Sequence, residues 1–455
     1  MTPSTAITDL LIEHITAARF DALPPAALRA AKTFILDSLG VALSGSRVPM
    51  VVELQAVAAA WGSGDACRIW GTGERVPSAT AAFINGYQIH NQEWDCVHEP
   101  AVVHPMAVVL STLIAFAEPR PSLTGRHLLL GCSVAVDVAT TIGMSARNKL
   151  RFFRPAMCGA LGATAGIAAM LQLDAATTRS ALGLAYSQLS GTMQAHIEGS
   201  PVLPMQIGFN TRAALVAIDM ATRGIKGPGN FLEGPFGYFA LIDPDWFPEP
   251  FTDLGRTFRI TELAHKPYPS GRATHGGVDG ALTLQREHGF SVDDIRQLRV
   301  IAPPLVIQLV DRAPSPHMAP SYARLCLPYV AATALLHGTV DVHDFEPAAL
   351  ADPARHALAA RICVQRDDNP SLNALAPQRV EVDLCDGRRL ALDLSAVLGA
   401  PGRPLSAVQH FAKFRRAAES GLRPLPPAQI QALIDAVEQL EDLTAVHSLI
   451  DLTLF

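Results

Sequence analysis

Residues 102–117 read VVHPMAVVLSTLIAFA, and this apolar run decides what kind of fold the chain can adopt. It carries a single histidine, His104, and Pro105 stands where a helix would begin. Proline is favoured in the first turn of a helix, and a helix that is apolar on every face must be buried. The run is shorter than the roughly 20 residues that span a bilayer, so it predicts a core or interface helix.

A dense group of acids and histidines comes just before this run and overlaps its start. Residues 90–105 hold three carboxylates and three imidazoles in a chain that is only 17% charged: Glu93, Asp95, Glu99, His90, His98 and His104. Such groups are costly to bury unless they pair or do chemistry. We therefore expect the active site in this segment.

Length and composition restrict the class of protein. At 455 residues the chain exceeds what one hydrophobic core usually serves, which predicts two domains. Nearly half of the residues are apolar and only 6% are aromatic, which favours close-packed helices over a sandwich or barrel. The net charge is −6 and no Lys/Arg-rich block occurs, so we expect neither nucleic acid nor a membrane as partner.

The N-terminus and the cysteines bear on where the protein works. Residues 1–5 lack the basic-then-apolar pattern of a signal peptide. Seven cysteines are scattered without a Cys-x-x-Cys spacing. An odd, dispersed set predicts reduced and mostly buried thiols in a cytoplasmic protein.

Helix and strand signals divide the chain into parts. Residues 4–45 predict two helices, the first capped by Ser4 or Thr5, and the pattern stays mostly helical from 78 to 265. Strand-like stretches then alternate with helices, at 295–302, 361–365 and 379–394. The last of these contains Asp386-Gly387, a strong hairpin signal, and helices return from Ser406.

This order predicts a mainly α fold. A large all-helical domain is formed by both chain ends, residues 1–265 and 405–455, and a smaller α/β (α+β) domain is inserted at 266–404. A ligand cleft is expected near the junction at 265, because clefts often form between domains.

The acid and histidine segment can support proton transfer. A histidine beside a carboxylate can accept or donate a proton, and Asp95 could orient His98 or His104. A metal site is an alternative, but the spacing of the two histidines matches no standard metal motif, so no metal is predicted. A loop whose polar side chains cap helix ends is the non-functional alternative.

Three other features could bind or polarise an anion. Lys266 and Arg272 offer cations, and Thr274-His275 opens a helix whose N-terminus favours negative charge; the alternative is a proline-stiffened hinge. Arg154 could guide an anionic substrate or lie on the surface, and Tyr329 could donate to an oxyanion or simply pack. No GxGxxG, GxSxG or nucleophilic cysteine context occurs, so no cofactor is predicted.

The order and spacing of these segments resemble the MmgE/PrpD family, which includes 2-methylcitrate dehydratase, cis-aconitate decarboxylase and iminodisuccinate epimerase. The resemblance rests on these stretches: Ile35–Leu43, Ala81–Gly86, Glu93–Pro105, Arg154–Ala160, Lys266–His275 and Leu327–Tyr329. It implies a homodimer, an α/β lid, and cofactor-free chemistry on small di- or tricarboxylates.

Carried over residue by residue, the resemblance implies an active site that includes His104, His275, Lys266 and Tyr329. Asp95 matches the aspartate cluster of the family, and Glu93 replaces an aspartate there. The chain departs from the family pattern where Cys96-Val97 replaces Asp-Thr and Arg154 replaces a histidine. Leu203 stands before Pro204 where the family has a substrate-binding lysine. We therefore expect a substrate other than methylcitrate or cis-aconitate.

The predicted function is a lyase that removes a proton α to a carboxylate. His104 or His275 would be the base, oriented by Asp95, and Tyr329 the proton donor. Substrate contacts are expected from these residues: Lys266, Arg272, Arg154, Glu93 and His98. Dehydration ranks first, epimerisation second and decarboxylation third, and the rival hypothesis is a non-catalytic carboxylate-binding homologue.

Overall fold

The computed structural model describes residues 6–454, and over these residues the chain is mainly helical, as predicted. The expected caps Ser4 and Thr5 lie outside the described residues. The helices of the described part are α1 (Ile7–Ala17), α2 (Pro25–Gly45), α3 (Met50–Ala59), α4 (Ser78–His90), α5 (Pro105–Ala117), α6 (Gly125–Met144), α7 (Arg154–Met170), α8 (Ala175–Tyr186), α9 (Gln194–Glu198), α10 (Val202–Ala221), α11 (Tyr238–Leu241), α12 (His275–His288), α13 (Pro304–Val310), α14 (Pro320–Ala323), α15 (Leu327–His337), α16 (Pro347–Leu350), α17 (Pro353–Ala359), α18 (Ala407–Glu419), α19 (Pro427–Glu438) and α20 (His447–Asp451).

Strands form two small sheets in the described residues. A two-stranded hairpin, β1 (Cys67–Arg68) and β2 (Arg75–Val76), was not predicted by the sequence pattern. The other sheet has the order β4-β3-β5-β6, with the bounds β3 (Ile295–Ala302), β4 (Ile362–Arg366), β5 (Gln378–Leu384) and β6 (Arg389–Leu394). β3 is parallel to β4 and antiparallel to β5.

The predicted hairpin joins β5 to β6 in antiparallel register. Its turn contains Gly387, whose φ of 92° lies in the left-handed region that glycine adopts without steric cost. The strand signals in this part of the sequence are thus confirmed.

The apolar run forms α5, and every residue of this helix is buried. Pro105 stands in its first turn, where the missing amide hydrogen costs no internal hydrogen bond. α4, α6, α7 and α10 pack around it. A Cβ at Gly159 of α7 would lie 2.7 Å from the Val108 side chain, so glycine there allows α5 and α7 to approach closely. The predicted core helix is confirmed.

One helix of the described part, α6, is long and apolar enough to cross a membrane by length and composition alone. The bent pair of α2 and α3 would also pass if counted as one span. Helices buried in a protein core meet the same criteria, and 89% of the apolar window of α6 is buried.

The last helices return to the first ones. α18 and α19 pack on α2, and the short turn Leu440–Asp442 packs on α6. α12 and α15 pack on each other, with α12 also against β5 and β6 and α15 against β4. Both chain ends therefore contribute to the helical core, while the predicted domain limits and lid stay predictions.

Candidate active site

Backbone bonds tie the acid and histidine segment to the lysine segment. Val97 donates to the carbonyl of Ala264 at 3.0 Å and accepts from its amide at 2.7 Å. This pairing places Lys266 beside Glu93 and Asp95, although 173 residues separate Lys266 from Glu93. The expected meeting of the two segments is therefore present in the fold.

The backbone is strained on both sides of Asp95. Glu93 has a φ of 54° and Val102 a φ of 53°, both in the left-handed region. A β-branched residue rarely adopts this conformation, which costs about 1–3 kcal/mol and is concentrated at functional sites. The surrounding structure therefore holds this loop in a shape that the chain alone would avoid.

Asp95 is fully buried at the centre of a charged group that we call the Asp95 cluster: His90, Glu93, Asp95, His104 and Lys266. Its Oδ2 atom lies 3.0 Å from Nδ1 of His90 and 3.4 Å from Nδ1 of His104. Lys266 Nζ lies 3.8 Å from Asp95 Oδ1 and 3.2 Å from Glu93 Oε2. Burial opposes ionisation of Asp95, but His90, His104 and Lys266 hold its pKa well below the usual range.

The two histidines on Asp95 have opposite pKa shifts. Burial lowers the pKa of His90, but Asp95 and Glu93 outweigh burial and raise the pKa above its usual value. Burial and Lys266 lower the pKa of His104, and the attraction of Asp95 does not compensate. Their ring centres are 5.1 Å apart. Neighbouring groups whose pKa values are pushed apart have the properties of an acid and base pair.

Both rings face a cavity, which Glu93 and Arg272 also line. The side chain of His104 is 13% exposed, and its Nδ1 atom faces Asp95. Within residues 6–454, Nε2 of His104 has no hydrogen-bond partner, so it is the ring atom available to a substrate. The remaining wall of the cavity is mostly apolar.

Two family models match the chain and together cover most of it. The MmgE/PrpD N-terminal domain matches residues 9–249, and the MmgE/PrpD C-terminal domain matches residues 268–441. The chain belongs to the MmgE/PrpD family. The resemblance seen in the sequence is thereby confirmed.

Relatives in this family are cis-aconitate decarboxylases. The Mus musculus enzyme is 27% identical over 96% of this chain and 91% of its own length. The Homo sapiens enzyme is 28% identical over 97% of this chain and 91% of its own length. The enzyme of Aspergillus terreus strain NIH 2624 is 25% identical over 95% of this chain and 93% of its own length. MmgE/PrpD membership and these relatives support an enzyme of the dehydratase or decarboxylase type.

Among the residues predicted from the MmgE/PrpD resemblance, Arg154 is held by protein groups. It donates to both carboxylate oxygens of Asp243 at 3.3 and 3.1 Å. It also donates to the carbonyl of Asn148 at 3.0 Å and to the side chain of Asn373 at 3.3 Å. Arg154 therefore acts as a buried link between segments, and its guanidinium is not free for a substrate carboxylate.

Arg272 lines the cavity, and each of its nitrogens already donates one hydrogen bond. Nε donates to Glu99 at 2.5 Å, and the terminal nitrogens donate to the carbonyls of Leu398 and Val397 at 2.7 and 3.2 Å. A guanidinium has five N–H groups, so two remain. Arg272 can therefore still bind a single carboxylate.

His98 and Tyr329 are engaged away from the cavity. His98 Nε2 lies 2.9 Å from a carboxylate oxygen of Glu262, and its Nδ1 accepts from a backbone amide at 3.2 Å. The hydroxyl of Tyr329 has two backbone carbonyls within hydrogen-bond distance, at 2.7 and 3.0 Å, to which its single hydrogen can donate. Neither side chain lines the cavity. The structure does not bring these two predicted residues to the Asp95 cluster.

His275 is buried at the start of α12 and does not line the cavity either. Its Nε2 lies 3.2 Å from the carbonyl of Ser270, to which it can donate. Burial, together with Arg272 and Lys266, holds the pKa of His275 well below its usual range. Of the two bases expected from the sequence, the structure places only His104 at both Asp95 and the cavity.

Sequence reasoning missed three residues near the site. His90 ends α4 and was counted in the acid and histidine segment without a role, yet it binds Asp95. Arg312 donates to the carbonyl of His196 at 2.6 Å. Neither Arg312 nor Arg324 lines the cavity, and neither forms an ion pair with an acid within the described residues. Burial lowers the pKa of Arg324 to about 10, which the charge of Glu93 partly offsets. For Arg324, an isolated arginine shortly before an apolar helix was the signal in the sequence.

The Asp95 cluster includes a possible set of metal ligands. One nitrogen or oxygen atom from each of His90, Asp95 and His104 lies within 4.8 Å of the others. The ammonium of Lys266, 3.8 Å from Asp95, would compete with a divalent cation for the same carboxylate. Metal-free chemistry therefore stays the prediction, and turnover in the presence of a chelator tests it.

A second buried group of charges contacts the backbone next to the Asp95 cluster. Lys413 of α18 lies 2.6 Å from Oδ1 of Asp37 in α2 and donates to the carbonyl of Trp94 at 2.9 Å. His265 Nε2 lies 3.0 Å from the same Asp37 oxygen. Burial opposes ionisation of Asp37, but His265 and Lys413 lower its pKa. Trp94 and His265 each immediately precede a member of the Asp95 cluster, so this group fixes the backbone that carries it.

Proposed function

We propose that the protein is a lyase that removes the α-proton of a small carboxylic acid, as a dehydratase does. The observation that carries the proposal is the pair of histidines on Asp95, which have opposite pKa shifts and line one cavity. Arg272, which lines the cavity and keeps two N–H groups free, supports an anionic substrate.

In the proposed step, Nε2 of neutral His104 takes the proton from Cα. The electron pair of that C–H bond forms the new double bond, the Cβ–O bond breaks, and the leaving hydroxyl takes a proton from His90 to depart as water. Asp95 orients both rings and stabilises the imidazolium that forms on His104. Arg272 binds the carboxylate on which negative charge develops. Solvent returns both histidines to their starting protonation states.

Decarboxylation is the second candidate, because the relatives of this chain are named cis-aconitate decarboxylases. In that reaction the bond between Cα and a carboxylate breaks, carbon dioxide leaves, and a protonated histidine supplies the proton to Cα. Epimerisation requires a proton donor on the opposite face of the substrate. It stays the less favoured alternative because both rings lie on one carboxylate.

The proposal is tested by incubating the purified protein in deuterium oxide with a panel of hydroxy acids and unsaturated acids. We expect α-proton exchange or loss of water from at least one of them. His104→Ala should lower kcat by about 10²-fold or more, as the loss of a general base does. His288→Ala, at an exposed position that ends α12, is the matched control.

Tight binding of an acid without exchange, elimination or decarboxylation would instead favour the non-catalytic homologue. A fully active His104→Ala variant would remove the role that we give to this ring.

A further inference from the structure

The wall of the active-site cavity is built mainly from hydrocarbon. Large apolar side chains from several parts of the chain line it: Val97, Leu150, Phe153, Leu203, Leu325 and Leu375. These residues come from the loop before α5, the stretch before α7, α10, and two later parts of the chain. A substrate that fills this space must place an apolar surface against them, since water there gains few hydrogen bonds.

Few charges are available to a second or third carboxylate in this cavity. Arg272 is the one lysine or arginine that lines the cavity among the described residues, and it keeps only two free N–H groups. Lys266 is already paired with two carboxylates. Burial and Arg312 lower the pKa of His196, another lining residue, to about 4, so it is neutral near pH 7.

An additional carboxylate would be buried against the apolar wall without donors, which is costly. Resting on the proposed function, we infer that the substrate joins one carboxylate to an apolar group, such as a branched alkyl or aryl substituent on Cβ. The substrate class is then a β-hydroxy acid with a hydrocarbon substituent, and its product is the matching α,β-unsaturated acid.

Two sequence departures described above point the same way. Val97 stands where the family pattern has threonine, and Leu203 stands near the position of a substrate-binding lysine. Both side chains line the cavity. The polar groups that a tricarboxylate would need are thus replaced by apolar ones at the positions that face the ligand.

The inference is tested by titrating the full-length protein with unsaturated acids in a calorimeter. We expect cinnamate or 4-methyl-2-pentenoate to bind at least about tenfold more tightly than cis-aconitate, because burial of a hydrocarbon group contributes that much. Equal or tighter binding of cis-aconitate would overturn the inference. Absence of binding by both apolar acids would overturn it as well.

Variants locate the preference in the cavity wall. Leu203→Lys should shift the ratio of the two affinities toward cis-aconitate by about tenfold, and Leu203→Met should leave it unchanged. Val97→Thr keeps the side-chain volume and serves if Leu203→Lys does not fold. It should lower the affinity for cinnamate by several-fold, because it places a hydroxyl against the ligand. An unchanged ratio in both polar variants contradicts the inference.

Turnover separates this inference from the proposed function. If cinnamate binds but 3-hydroxy-3-phenylpropanoate neither loses water nor exchanges its α-proton, the proposed function fails and the binding preference stands. If only hydroxylated tricarboxylates are turned over, the proposed function stands and the substrate inference fails.

Discussion

At the scale of single residues, the pair His90 and His104 makes the pH dependence of the proposed reaction predictable. His104 must be unprotonated to act as base, and its pKa lies below 6.5, so activity rises as the pH rises through that pKa. His90 must be protonated, and its pKa lies above 6.5, so activity falls as the pH rises through it. We expect a bell-shaped profile of kcat/KM with one limb on each side of 6.5.

The charged groups that face these rings are Glu93, Asp95 and Lys266, and both carboxylates stay ionised across this range. His90→Gln should therefore abolish the alkaline limb and leave the acid limb in place. A wild-type profile with an acid limb alone would argue against His90 as the proton donor.

Tyr329 provides a test that separates packing from catalysis. Its buried hydroxyl donates its one hydrogen to backbone carbonyls, so Tyr329→Phe should reduce the free energy of unfolding by about 1–2 kcal/mol and leave kcat within about twofold. Tyr322→Phe is the control, since the Tyr322 hydroxyl donates to one carbonyl at 3.2 Å in an exposed position and should matter little. Denaturant unfolding and steady-state kinetics measure the two effects. A large loss of kcat in Tyr329→Phe would support the catalytic role expected from the family resemblance.

Part of this site could be predicted from the sequence because its acids and bases are close together along the chain. Asp95 and His104 lie in one short segment, and the density of acids and histidines there was enough to predict a site. The pairing of Arg154 with Asp243 could not be predicted from local sequence, because the two residues lie 89 positions apart. A cation shows in a sequence, but whether the fold neutralises it depends on non-local packing.

At the scale of elements, α18 supports the Asp95 cluster through Lys413. Lys413→Met would leave Asp37 buried without one of its cations, and breaking a buried pair in this way costs about 3–5 kcal/mol. We expect a clear fall in the midpoint of thermal unfolding and a loss of activity at temperatures where the protein stays folded. Lys226→Met makes the same substitution at an exposed position and should change the midpoint little. Equal stability of the two variants would show that α18 does not support the site in this way.

Elements with a strong local pattern were predictable, and very short ones were not. The expected strand at 295–302 coincides with β3, and Asp386-Gly387 forms the expected turn. The hairpin of β1 and β2 and the short helix α9 were not expected. Elements this short are not stable by themselves, so tertiary contacts rather than local propensity determine them.

At the scale of the whole molecule, an exposed apolar patch is a candidate face for the predicted homodimer. Trp61 packs on Phe83 with ring centres 5.3 Å apart, and Phe83 packs on Phe209 at 5.4 Å. Trp61, Phe209 and nearby Val57 of α3 are exposed. Contiguous apolar surface of this kind often marks an interface.

We expect light scattering to give twice the mass of one chain for the wild type and the mass of one chain for Val57→Glu. Val408→Glu places the same charge on α18 at another exposed valine and should stay dimeric. A wild-type monomer would contradict the predicted homodimer, and a dimeric Val57→Glu variant would place the interface elsewhere. The cytoplasmic location, the domain limits and the lid also stay predictions.

The bond from Lys413 to the carbonyl of Trp94 spans 319 residues. During synthesis, Asp95 and both of its histidines leave the ribosome long before α18 exists. Until α18 is made, Asp37 lacks its ion pair with Lys413. The loop around Asp95 lacks the hydrogen bond that Lys413 donates to the carbonyl of Trp94. The backbone that carries the candidate active site therefore gains this support only late in synthesis, and a chain that ends before α18 would contain the Asp95 cluster but lack the bond that fixes it.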